Sequence, residues 1–187
     1  MDPPEKPDPR GNPDMDTPEI RFRPNVTREM RKLLPQMARD ATLWMAGHYP
    51  DVDFSNITWE ATGGNVKSRY FHREKRVLVC HSGFVGFYRR ACREIKGLRE
   101  RVGTYHPSIA TPAAIVHELT HHVQHERGFH RGNETDTSLN ELCWMRERRP
   151  GLFLRCFHGK PPEISPAPIR PKRQRQAAAP SPEAETQ

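Results

Sequence analysis

What the chain lacks narrows its options before any motif is considered. No apolar run approaches the roughly twenty residues of a membrane-spanning helix. The first 24 residues are polar and proline-rich, without the basic-then-apolar order of a secretion signal, so a cytoplasmic location is the expectation. The four cysteines, Cys80, Cys92, Cys143 and Cys156, form no CxxC pair. That argues against a zinc ribbon, and buried thiols are expected in a reducing compartment. There are no internal repeats.

Proline is plentiful, and the 19 prolines gather at the two ends. Residues 1–24 and 160–187 read as disordered tails. The expected folded unit is 25–159, enough for one compact core. The net charge is +7, while the first 24 residues hold four basic and six acidic groups. The basic excess therefore lies in the folded unit and the second tail. A solvated, arginine-rich surface is the simplest account. Arg170, Lys172, Arg173 and Arg175 add a weak electrostatic tether for nucleic acid.

Apolar residues from Asn25 to His48 recur at steps of three and four, which predicts a helix ended by Gly47 and Pro50. Residues 57–62 alternate, Gly63-Gly64-Asn65 signals a turn, and 66–71 and 77–81 complete a predicted three-stranded, mostly antiparallel meander. Arg89 to Arg101 reads as a helix and 103–108 as a loop.

The organising stretch is Thr111 to Arg127, TPAAIVHELTHHVQHER. Thr111 is a candidate N-cap, Pro112 suits the first helical position and Gly128 suits the stop. Ile115, Val116, Leu119 and Val123 supply an apolar face; His117, His121 and His125 form a polar stripe. Residues four apart share a helix face, about 6 Å along the axis, so His117 and His121 can hold one zinc ion. Glu118 lies about 100° around the helix, where a general base reaches a water on the metal without becoming a ligand. A mononuclear site needs a third protein ligand. Glu141 stands twenty residues after His121, although Ser138 to Glu141 also fits an S-x-x-E capping box. His125 lies about 12 Å along the axis from His117, poorly placed for the same ion. His130, after Gly128, is another rival.

With His117-Glu118-Leu119-Thr120-His121 followed by Asn140-Glu141, the stretch 111–148 resembles the gluzincins, the HExxH metallopeptidases typified by thermolysin. The resemblance implies one Zn2+ per chain held by His117, His121 and Glu141, Glu118 as general base, and a peptide or protein substrate. It also implies a small α+β zincin-like domain: an N-terminal helix, a sheet, the HExxH helix and a following helix carrying the third ligand. In such domains an edge strand borders the substrate cleft, and Val77 to His81 is the candidate. One departure stands out. Gluzincins place an aspartate four residues after the glutamate to orient a ligand histidine, and this chain has Met145; Glu147, Asp136 and Glu134 are alternatives. Tyr105, His106, His130 and His158 are candidates for stabilising the oxyanion. A second family, the SprT-type DNA-associated proteases, shares HExxH and basic character but uses a third histidine, which would have to be His130. A non-catalytic zinc-binding regulatory domain and a metal-free helical binding domain complete the alternatives.

Overall fold

A computed structural model describes residues 16–64, 66–81, 84–87 and 89–171. The order of elements is β1 (Ile20–Phe22), α1 (Arg28–His48), β2 (Thr58–Thr62), β3 (Arg69–Phe71), β4 (Arg76–Cys80), β5 (Phe84–Gly86), α2 (Arg89–Glu94), β6 (Arg101–Thr104), α3 (Pro107–Glu126), α4 (Glu134–Arg148) and α5 (Pro150–Arg155). The α+β class holds. No described helix is long and apolar enough to cross a membrane.

The sheet departs from the expected meander. Its order is β1-β2-β4-β3, with β1-β2 and β2-β4 parallel and only β3-β4 antiparallel. The three predicted strand positions are right but the pairing is not. Val77 to Cys80 are all buried, the mark of a strand covered on both faces. β4 is therefore internal, and the edge falls to β3.

Helix α1 runs through Pro35, and the Thr27 hydroxyl accepts from the Met30 amide at its start. Met30, Leu34, Ala38, Ala41 and Met45 are buried at helical spacing. Alanines at two of these positions let α1 pack closely on α3. The predicted helix 89–101 is only six residues long, because the chain turns at Gly97 with φ 77°, and β6 then pairs with β5.

Both expected tail boundaries move outward. Ile20 is buried in β1, and Ile164, Ala167 and Ile169 are buried in the segment after α5. That segment is held by the Ala167 amide donating to Asn140 Oδ1 at 2.9 Å, and by Arg127 and Arg146 donating to the carbonyls of Ile169 and Ile164. Of the expected tether, Arg170 is exposed, and Lys172, Arg173 and Arg175 lie outside the described residues. Cys80, Cys143 and Cys156 are buried free thiols, whereas Cys92 is half-buried.

Candidate metal centre

Helix α3 begins earlier than its sequence suggests. His106 caps it, accepting from the Ser108 amide, so Thr111 and Pro112 are buried inside the helix. Its end is as expected. Gly128 takes φ 83°, its amide bonds the His125 carbonyl, and the Phe129 amide bonds the Gln124 carbonyl. This paired closure satisfies the last carbonyls and turns the chain back toward α4.

Helix α4 starts at Glu134, capped by Asn133, whose side chain accepts from the Thr135 amide at 3.1 Å. Ser138 is therefore interior, and no capping box forms with Glu141. Glu134 and Glu141 are seven residues apart, two helical turns, and both face α3. They reach opposite sides of one imidazole. Glu141 Oε2 lies 3.5 Å from His117 Nδ1, while Glu134 Oε2 lies 3.3 Å from His117 Nε2. The other oxygen of Glu134 is 3.8 Å from His121 Nε2. Metal-ligating atoms of His117, His121 and Glu134 all lie within 4.8 Å of one another.

Glu141, the expected third ligand, is not in this group. The structure brings His117, His121 and Glu134 together, while Glu141 meets His117 at Nδ1, the ring nitrogen other than the one that meets Glu134. Ligand atoms of a tetrahedral zinc with bonds near 2.05 Å sit roughly 3.3 Å apart. Two imidazoles and a carboxylate at these separations could hold a metal ion, and they are donor types that zinc accepts.

The outer contacts fix each ring. Gln124 Oε1 lies 3.0 Å from His121 Nδ1 and also accepts from the Asn133 amide at 3.1 Å. An amide oxygen only accepts, so His121 Nδ1 carries the proton and Nε2 presents its lone pair inward. Gln124 Nε2 donates to Asp136 Oδ2 and to the Asn133 carbonyl, so Asp136 supports the site through Gln124. Gly132 covers the same ring. A Cβ there would stand 2.5 Å from His121 Nδ1, so only glycine fits without moving the imidazole. Sequence reasoning passed over Gln124 and Gly132. Their signal was weak: one glutamine a turn after His121, and one glycine just before the capping asparagine.

Glu118 is 6% exposed and lines the cleft beside His117, His121 and Glu134. Burial raises its pKa to about 7, aided by Glu134 and Glu141 and opposed by His117 and a hydrogen bond with the Tyr70 backbone. Burial alone would lower His117, but hydrogen bonds with Glu134 and Glu141 and the nearby Glu118 charge outweigh it and raise it to about 10. The carboxylates beside His117 thus favour its charged form, whereas burial and the neighbouring His117 lower His121.

His122 serves structure instead. Its Nε2 is 2.8 Å from the Asp53 carbonyl, which fixes the proton there, and its Nδ1 accepts from the Tyr70 hydroxyl at 2.9 Å. Burial lowers its pKa, keeping it neutral. This contact fastens β3 to α3 and holds the Tyr70 backbone against Glu118.

The remaining candidates separate. His125 and His130 line the cleft, but neither belongs to the converging group. Tyr105 lies in a different hollow with Ile109 and Leu152, and His106 is the cap of α3. His158 is exposed, its amide bonded to the Gly97 carbonyl. Glu147 accepts from Trp44 Nε1 at 2.7 Å, and Met145 is in the core. The chain matches no family model, no curated protein and no solved structure.

Proposed function

We propose that this protein is a zinc-dependent metallopeptidase whose metal is held by His117, His121 and Glu134, with Glu118 as general base. The observation that carries this reading is the convergence of those three side chains next to a buried carboxylate that is not part of the donor set. Zinc bound there would lower the pKa of a coordinated water from about 15.7 toward about 7 and polarise a carbonyl. The chain's own residues do the rest. Glu118, with a pKa matched to neutral pH in the metal-free site, takes a proton from water and returns it to the leaving amine. Glu141 and Gln124 hold the ligand rings in their tautomers, a support that also strengthens the imidazoles as ligands. The antiparallel edge β3, rather than Val77 to His81, borders the cleft and offers its backbone to an extended substrate.

The SprT-type alternative needs His130 as a ligand, and its exposed position outside the converging group favours Glu134 instead. A closed structural site would need a fourth protein ligand, and none joins the group among the described residues.

The test is elemental analysis joined to a peptide-hydrolysis assay. Wild type should hold one zinc per chain, Glu118→Gln should keep the metal and lose hydrolysis, and Glu134→Ala should lose both. Zinc retained in Glu134→Ala but lost in Glu141→Ala or His130→Ala would overturn the ligand set. An absence of zinc in wild type after reconstitution would overturn the reading entirely.

A further inference from the structure

The cleft has an uneven distribution of charge. Its acidic lining residues are Glu118 and Glu134, both at the candidate metal centre. Around them stand Lys67, Arg69, His72, His125 and His130. Lys67, Arg69, His72 and His130 are exposed, and Lys67 and Arg69 have no carboxylate partner among the described residues. By contrast, Arg76 on the neighbouring β4 is bound to Glu60 and Glu74, and Lys75 to Glu126. The lysine and arginine that line the cleft, Lys67 and Arg69, thus stand on β3 and the segment leading into it.

Strand geometry says where their partners would come from. β3 bonds only to β4, so its other edge lacks a strand partner among the described residues. Arg69 begins β3, and Lys67 stands two residues before it in the segment leading in; both line the cleft. Arg69 also stands over the Phe71 ring, the next residue on its face of the strand, at 5.9 Å. Tyr70 projects to the other face, toward His122. A chain laid along this edge places alternate side chains directly opposite Lys67 and Arg69, where opposite charges attract and like charges repel.

We propose that the cleft selects extended peptides carrying Asp or Glu side chains beside the scissile bond, an inference that rests on the metallopeptidase reading. Such a peptide pairs its backbone with β3 and its carboxylates with Lys67 and Arg69. The unpaired strand edge favours a peptide over a nucleic acid, which has no amide ladder to offer.

The experiment uses the zinc-loaded full chain and three fluorogenic peptides, identical except for Glu, Gln or Lys at the positions flanking the cleaved bond. kcat/KM should be roughly three- to tenfold higher for the Glu peptide than for the Gln peptide, the scale of one or two cross-strand ion pairs. The Lys peptide should be the poorest. The gap should shrink at 1 M salt, where screening acts within about 3 Å. The Lys67→Glu/Arg69→Glu double variant, checked for unchanged thermal unfolding, should invert the order.

In parallel, binding of the same peptides to Glu118→Gln is read by fluorescence anisotropy. This arm decides the docking inference even if no peptide is hydrolysed, a result that would count against the peptidase reading instead. Equal affinity and equal kcat/KM for Glu and Gln peptides would overturn the inference. So would an unchanged order in the double variant. Displacement of every peptide by a short single-stranded oligonucleotide, with no discrimination between Glu and Gln, would overturn it in favour of a nucleic-acid groove.

Discussion

Helix α4 carries the dipeptide Asn-Glu twice, at 133–134 and at 140–141, and the two copies work differently. In the first pair, Asn133 caps the helix at its exposed start, and Glu134 faces the Nε2 atoms of both His117 and His121. In the second, Asn140 is fully buried and joins four segments. Its Nδ2 donates to Thr120 Oγ1 at 3.0 Å, and its Oδ1 accepts from the Tyr49 hydroxyl and the Ala167 amide, each at 2.9 Å. Glu141 beside it meets His117 at Nδ1. Two turns of helix separate a pair at the mouth of the cleft from a pair in the core. Depth, not residue type, assigns the roles.

The comparison can be broken most forcefully at Asn140. Asn140→Ala removes three buried hydrogen bonds and leaves a cavity, so denaturant unfolding should show a loss of about 3 kcal/mol. A loss below about 1 kcal/mol would mean that Asn140 is not the hub. Glu141→Gln should come next. It keeps the shape but loses the charge beside His117 Nδ1, and zinc affinity by chelator competition should fall about 10- to 100-fold. Loss of all zinc would return Glu141 to the ligand set.

A third test treats the two glutamates together. Both stabilise protonated His117 in the metal-free protein, raising it from 6.5 to about 10. A group that binds its proton more tightly when folded stabilises fully below its unfolded pKa, and that stability fades as pH rises through the folded value. Thermal unfolding of the metal-free protein should therefore fall between pH 7 and 10. Glu118, raised to about 7, adds a similar decline between about 4.5 and 7. Zinc should stabilise most at the alkaline end, because it replaces the lost proton. A flat profile in Glu134→Gln beside a falling one in wild type would assign the effect to this cluster. The smallest effect is expected at Asn133, where Asn133→Ala should cost about 1 kcal/mol as a lost cap, read by the same denaturation.

These contrasts also explain which features were legible in the chain. The HExxH helix and its stop at Gly128 follow from periodicity and from a backbone requirement that few residues meet. The pairing of the sheet does not. Residues 57–62 and 66–71 flank the Gly63-Gly64-Asn65 turn as the arms of a hairpin would, yet β2 pairs in parallel with β4, and β3 pairs with the far side of β4. The buried run Val77-Leu78-Val79-Cys80 was the available sign of an interior strand. The third ligand was ambiguous for a related reason. Two identical dipeptides seven residues apart share a helix face, and only the distance of each from the α3 crossing shows which meets Nε2. The outer ends of the domain were hidden because Ile20 and the buried Ile164, Ala167 and Ile169 are sparse apolar residues among prolines and charges.

The converging atoms of His117, His121 and Glu134 are contributed by one uninterrupted piece of chain, α3 and the first turn of α4. An ion held there closes a short loop, and the chain entropy of closing short loops is small. The residues that steady the surroundings, Tyr49, Asp53, Tyr70 and Ala167, arrive from distant parts of the sequence. On the proposed reading, the hairpin of α3 and α4 would carry every protein ligand of the ion without help from the sheet. The ion would then act as a local staple between two helices adjacent in sequence, while the side chains that steady it reach across the whole fold.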